Sequence, residues 1–234
     1  MRSLLMISGA FLITASAAFA ETRTYDMTGF EEVEVSAGVT VKVAVGEDFS
    51  VVGEATRGDI NNLDIIQLDD RLMISRESDG QVWGLIGLFR PDDQFVVTVT
   101  MPELTEVEST SGSSVDVIGA TNALEKVATT SGSTLSISDG SLGDVYLEAT
   151  SGASLTVSGT CDTVRAAASS GAALSAKGLT CAIADVDASS GASLTVYADT
   201  TAKAKASTGA SLSLYGGAEM TEQSVSSGAS ISVK

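Results

Sequence analysis

Histidine is missing altogether from the 234 residues, so Ser-His-Asp and Cys-His triads, histidine zinc sites and a histidine pH switch are excluded together. Basic side chains are scarce, 13 against 30 acidic ones, giving a formal charge of −17. That balance excludes a nucleic-acid binder working by phosphate neutralisation and argues against charge-driven adhesion to anionic lipid. Aromatics are only 5 % and prolines only two, yet 44 % of residues are hydrophobic, ample for a core. With 18 % charged residues the composition does not describe a disordered chain. What dominates is small: Gly, Ala, Ser and Thr.

Residues 1–20 have the anatomy of a secretory signal peptide, with Arg2 as the positive flank, an apolar run from Leu4 to Ala18, and Ala18-Phe19-Ala20 as a small-x-small cleavage site. A membrane anchor is the competing reading, but the run is shorter than the ~20 apolar residues a spanning helix needs. No later run reaches that length, so residues 21–234 are expected to be exported, to the periplasm or the cell surface, with no transmembrane segment. Export permits disulfides, and the chain has two cysteines, Cys161 and Cys181.

A hydroxyl-Gly pair recurs at Ser111-Gly112, Ser131-Gly132, Ser151-Gly152, Ser170-Gly171, Ser190-Gly191, Thr208-Gly209 and Ser227-Gly228, with the glycines 20, 20, 19, 20, 18 and 19 residues apart. At +3 and +5 from each glycine stands an apolar residue, as in Leu155/Val157, Leu194/Val196 and Leu212/Leu214. The +4 position between them is polar throughout, and such period-two alternation marks a strand with one buried face. A second alternating run precedes the central glycines, for example Val145/Leu147/Ala149 and Ala184/Val186/Ala188. One unit of this size cannot bury its own apolar face, so neighbours must stack on it. The fold class is therefore all-β, a single-stranded parallel β-helix (solenoid) with ~18–20-residue coils. A β-sandwich is the alternative, but it gives no reason for the same corner residues in every repeat.

Stacking predicts a Cys161–Cys181 disulfide. Both cysteines lie ten residues before a corner glycine, and coils about 4.8 Å apart fall inside the ~4.4–6.8 Å Cα window for such a bond. It also predicts a vertical file of mostly alternating charge: Glu106, Lys126, Tyr146, Arg165, Asp185, Lys203, Glu222. Residues 21–107 are more divergent but follow the same grammar. Ala37-Gly38 is followed by Val41 and Val43, and alternating strands read at Ser50–Glu54, Leu63–Leu68, Arg71–Ser75 and Phe95–Thr100. The expectation is one domain over 21–234, with irregular coils over 21–107 and regular Ser-Gly repeats over 108–234.

The chain resembles the exported β-helical proteins called putative auto-transporter adhesins, with a head GIN domain. The resemblance rests on Phe30-Glu31-Glu32-Val33-Glu34-Val35, Gly38-Val39-Thr40-Val41-Lys42-Val43, Leu72-Met73-Ile74-Ser75, Val97-Thr98-Val99-Thr100-Met101-Pro102-Glu103-Leu104 and the serial Ser-Gly-Ala-Ser corners. It implies a right-handed parallel β-helix and a cell-envelope or adhesion role, and brings no catalytic motif with it.

No catalytic residue, cofactor-binding residue or metal ligand is assigned: the corner serines have no histidine base, no G-x-S-x-G elbow and no S-x-x-K pair. The expected function is a non-enzymatic adhesion-type or structural module whose partner is a protein or glycan of the cell envelope. A polysaccharide-binding or polysaccharide-active β-helix is the alternative.

Two candidate surfaces stand out. Outward hydroxyls at +2 and +4, including Ser154/Thr156, Ser193/Thr195 and Ser211/Ser213, would stack into a flat grid beside Tyr197 and Tyr215. Such hydroxyls suit a solvated strand face; they also suit a repetitive ligand such as a glycan. The other is the loop 82–89, holding Trp83, Leu85, Ile86, Leu88 and Phe89 between Asp79 and Asp92. It either folds over the helix as a cap or presents an apolar tip to a protein or lipid. The strand at Ile231–Lys234 leaves an edge through which two copies would form a homodimer.

Overall fold

The structure is a computed structural model describing residues 21–46, 48–76 and 93–234. The proposed signal peptide and the loop 82–89 lie outside the described residues.

Strand dominates the described chain, stacked as a β-solenoid. The regular part begins with β8 (Glu106–Ser109) and β9 (Ser114–Ile118), then β10 (Lys126–Thr129) and β11 (Thr134–Ser141), then β12 (Asp144–Ala149). Long strands follow, β13 (Ser154–Ala168), β14 (Ala173–Ala188) and β15 (Ser193–Ala206), and the stack closes with β16 (Ser211–Tyr215), β17 (Glu219–Val225) and β18 (Ser230–Val233). Strands before the Ser-Gly corner pair in parallel with one another, β8 to β10 to β12 to the second half of β13 and onward. Strands after it do likewise, β9 to β11 to the first half of β13 and onward to β18. We refer to these as the pre-corner and post-corner sheets.

The apolar periodicity supplies the core. Val115, Val117, Leu135, Ile137, Leu155, Val157, Leu174, Leu194, Val196, Leu212 and Leu214 are all buried, stacked rung on rung. Alanines fill the inward positions opposite them in the later coils, including Ala166, Ala184 and Ala204.

Each corner is a two-residue left-handed turn. Ser151 has φ 53° and Gly152 φ 72°, and the same pairing holds from Ala37-Gly38 to Ser227-Gly228. Two consecutive positive φ values are the signature of a type I′ turn, and the closing bond is present, Ala153 N donating to Thr150 O at 3.1 Å. The left-handed conformation disfavours Ser by roughly 1–2 kcal/mol. Hydrogen bonds offset this, since the corner also joins its neighbours: Gly152 N donates to Ser170 O of the following coil at 3.1 Å. A Cβ placed on Gly152 would meet nothing within 4 Å, so the corner glycines serve backbone conformation rather than close packing.

Cys161 and Cys181 stand opposite each other in the β13–β14 register and are disulfide-bonded, as stacking predicts. The predicted charge file is also in register: Glu106, Lys126, Tyr146, Arg165, Asp185, Lys203 and Glu222 face one another in turn.

The amino-terminal part departs from simple winding. It comprises β1 (Glu21–Tyr25), β2 (Glu32–Val35), β3 (Thr40–Val45), β4 (Ser50–Arg57), β5 (Leu63–Leu68), β6 (Arg71–Arg76) and β7 (Gln94–Met101). The expected strands are all there, but each coil does not sit on its predecessor. The β2–β3 coil lies between β6–β7 on one side and β8–β9 on the other. β5 then pairs antiparallel to β6, β4 antiparallel to β7, and β1 antiparallel to β4. Antiparallel strands thus cover the end of the stack where a further parallel coil was expected. They satisfy backbone edges that would otherwise stay unpaired. At the other end, among the described residues, β17 and β18 pair on one side only.

Candidate binding face

The post-corner sheet carries two outward files. One runs Thr40, Ser114, Thr134, Ser154, Ala173, Ser193, Ser211, Ser230; the other Lys42, Asp116, Ser136, Thr156, Ser175, Thr195, Ser213, Ser232. Ser154, Thr195 and Ser213 are half-buried, and Thr156, Ser193 and Ser211 are exposed. Hydroxyls of consecutive coils can bond elsewhere in the stack, as Thr150 Oγ1 donates to Thr130 Oγ1 at 2.9 Å. From Ser154 to Ser232, consecutive rungs make no hydroxyl-to-hydroxyl bond among the described residues, which leaves donors and acceptors facing solvent. Earlier in the stack, Ser136 donates to the Asp116 carboxylate. There Lys42, Asp116, Ile118 and Ser136 line a shallow hollow of about 400 Å³.

A third file, six residues after each corner glycine, escaped the sequence reading. It runs Ile118, Ser138, Ser158, Lys177, Tyr197, Tyr215, Lys234 in sequence, although Ser158 faces Gly178 and Tyr197 faces Thr180 in the register, so Lys177 stands out of line. Tyr197 and Tyr215 are register partners beside the hydroxyl files, as expected. Lys177 sits in a bulge, where the register jumps from Ala176/Val196 to Thr180/Tyr197. Its Nζ reaches 4.3 Å from the centre of the Tyr215 ring. Lys234 Nζ approaches from the far side of the file, 5.2 Å from the same centre, and donates to Tyr215 Oη at 3.2 Å. The hydrogen bond from Lys234 holds the Tyr215 phenol below its ordinary value; weak burial opposes this and the Lys177 charge adds to it. Tyr197 leans over Gly216, where a Cβ would lie 2.9 Å from Tyr197 Cε1. The pitch of these positions was readable in the sequence, but the bulge that carries Lys177 to Tyr215 was not.

The pre-corner sheet carries charge instead, and the carboxylates around Arg71 and Lys126 are paired with those cations. Arg71 contacts Glu32 at 2.7 Å and Glu34 at 3.1 Å, while Lys126 contacts Glu106 at 2.7 Å and Glu108 at 2.6 Å. Glu32 faces Glu106, and Glu34 faces Glu108, across adjacent strands. These like-charged pairs are tolerated because the two cations flank them. Hydrogen bonds that Arg71 donates, to Glu32 first, raise its pKa, and those that Lys126 donates to Glu106 and Glu108 raise that of Lys126. Burial pushes Glu108 up, but hydrogen bonds with Lys126 and Glu106 and the charges of Lys126 and Arg71 together outweigh it, and the net shift is downward. Sequence reading missed Arg71, Glu32 and Glu34 as a group because it assumed sequential winding. Among the described residues no cluster of three or more Cys, Asp or Glu is arranged to hold a metal ion.

The second candidate surface, Trp83, Leu85, Ile86, Leu88 and Phe89, lies outside the described residues.

Residues 29–218 match the family described as putative auto-transporter adhesin, head GIN domain. No curated protein matches the chain in sequence. Several solved structures share its fold. A putative adhesin from Bacteroides fragilis is 13 % identical, with a TM-score of 0.75 over 93 % of this chain and 97 % of that one. A putative lipid binding protein from Parabacteroides distasonis is 14 % identical, TM-score 0.70, with the same 93 % and 97 % coverage. A putative adhesin from Parabacteroides merdae is 8 % identical, TM-score 0.69, again over 93 % and 97 %.

Proposed function

The chain belongs to the putative auto-transporter adhesin family with a head GIN domain, and from that premise we propose that it is an exported cell-envelope protein binding a surface glycan or protein through its post-corner sheet. The observation that carries this reading is the pair of hydroxyl files from Ser154 to Ser232, regular in register and not consumed by bonds to one another. A regular grid of this kind suits a repetitive polymer, where many weak contacts add up along one surface. Export is supported by the amino-terminal sequence, Arg2 through Ala20. A non-catalytic role accords with the absence of histidine.

The test is binding of the purified chain to a glycan array and to intact bacterial cells, with Thr156→Glu and Thr195→Glu as face-blocking variants. Binding lost in both variants, with melting unchanged, supports the reading. Binding that survives both removes it.

A second reading is attachment to lipid through residues 82–89. It is supported by the apolar sequence around Trp83 and by the lipid-binding description of the Parabacteroides distasonis structure. Trp83 is the only tryptophan, so its emission is a direct probe. A blue shift on mixing with phosphatidylglycerol vesicles supports lipid contact, and an unchanged spectrum removes it.

A further inference from the structure

We propose that Lys177, Tyr215 and Lys234 form a subsite for the carboxylate of an acidic sugar. The proposal deepens the binding-face reading and rests on it.

The chain has 30 acidic side chains for 13 basic ones, and some of the cations take a carboxylate partner. Lys126 has two carboxylates, Arg71 has Glu32 and Glu34, and Lys205 has Glu222 at 3.2 Å. Other exposed cations, Lys42, Arg165 and Lys203 among them, have none among the described residues, but only Lys177 and Lys234 meet at one ring. Among the described residues neither has a carboxylate within 4.0 Å, yet both ammonium groups converge on one phenol. Bringing two like charges together on a neutral ring is unfavourable in isolation and becomes favourable when an anion joins them.

The surroundings point to a saccharide as the bearer of that anion. Ser175, Thr195 and Ser213 stand in the adjoining file and supply donors and acceptors for sugar hydroxyls. The rings of Tyr197 and Tyr215 add apolar surface for the C–H face of a pyranose. The site is flat rather than enclosed, which disfavours retention of a small free anion but suits a polymer held at many points. Hydroxyl side chains beside the lysines, rather than apolar ones, give a lipid acyl chain nothing to enter.

The experiment is calorimetric titration of the full chain with four probes: an oligogalacturonate, a neutral galacto-oligosaccharide of equal length, inorganic phosphate, and phosphatidylglycerol vesicles. Variants are Lys177→Met, Lys234→Met and, on the opposite sheet, Lys203→Met. All three positions are exposed, and unchanged melting curves establish that the variants fold. The expected result is oligogalacturonate binding at least ~10-fold tighter than the neutral chain, weakened by salt. Lys177→Met and Lys234→Met should each lose about 10-fold, the scale of one charge-assisted contact, and Lys203→Met nothing.

Equal affinity for acidic and neutral sugars, or indifference to both post-corner lysines, overturns the proposal. So does phosphate binding as tightly as the oligogalacturonate, which makes the site a general anion site. Lysine-dependent binding to vesicles alone assigns it to lipid and overturns it equally. Neutral-sugar binding that depends on Thr156 and Thr195 but not on the lysines keeps the binding face and discards the subsite. Lysine-dependent oligogalacturonate binding without adhesion to cells keeps the subsite and discards the adhesive role.

Discussion

Cys161 and Cys181 face each other across adjacent coils with their Cα atoms 4.6 Å apart, and a disulfide joins them. The bond closes a loop with a sequence separation of 20, for which chain entropy predicts about 3 kcal/mol of stabilisation. Cys161→Ser/Cys181→Ser should therefore lower unfolding free energy by up to about 3 kcal/mol, with the fold retained. Urea denaturation of the variant and of reduced wild type checks this; the two curves should coincide. A variant as stable as the oxidised protein contradicts the clamp.

The glycines divide into two kinds. Gly152→Ala keeps open space around the new methyl group and is expected to cost only the left-handed backbone penalty, about 1–2 kcal/mol. At Gly159, φ is 133° and a Cβ would sit 2.0 Å from the Gly140 carbonyl oxygen, so Gly159→Ala should destabilise at least twice as much. Thermal melts of the two variants compare them directly, and equal losses contradict the distinction.

Hydroxyls also sit inside two corners. Ser133 and Thr129 are buried and bonded to each other at 2.7 Å, and Ser133 donates to Ser109 O at 2.7 Å and Thr130 O at 2.6 Å. The carbonyls have backbone donors as well, Thr130 N and Ser133 N. Ser133→Ala therefore strands the Thr129 hydroxyl, a loss of about 1–3 kcal/mol. Thr129→Ala/Ser133→Ala reproduces the Ala149/Ala153 pair of the next coil and should be less damaging than the single change. A double variant worse than Ser133→Ala, in urea denaturation, contradicts this.

Burial pushes the Glu108 carboxyl up, but the Lys126 hydrogen bond, the Glu106 hydrogen bond and the Lys126 and Arg71 charges together hold it below its ordinary 4.5. A depressed folded-state pKa contributes stability that is present above the unfolded value and lost as pH falls through the folded one. Lys126→Met removes both the hydrogen bond and the charge of Lys126, so Glu108 moves upward. The variant should be destabilised at pH 7, and its deficit against wild type should shrink as pH falls toward 4 and the carboxyl protonates. Denaturation midpoints across that range check the sign; a deficit that grows on acidification contradicts it.

Much of the fold was legible because a solenoid repeats its instructions. The corners, the inward Leu155/Leu174/Leu194 file and the cysteine pairing all follow from one pitch. The reversed amino-terminal order was not legible. Parallel and antiparallel strands show the same alternation, so Leu63–Leu68 reads alike whether it continues the helix or folds back on β6. The contact of Arg71 with Glu32 depends on that reversal and was invisible with it. Positive φ at the corner serines was likewise hidden, since Ser carries no conformational signal as strong as Gly. The candidate face was legible in its hydroxyls and tyrosines, but not in Lys177, whose reach to Tyr215 depends on a bulge.

The most direct measurement is residue-by-residue mapping by amide chemical shifts as the labelled chain is titrated with oligogalacturonate. The account predicts changes confined to the post-corner sheet and centred on Lys177, Tyr197, Tyr215 and Lys234. Changes centred on the pre-corner sheet, around Glu106, Lys126 and Asp185, or no changes at saturating ligand, contradict it.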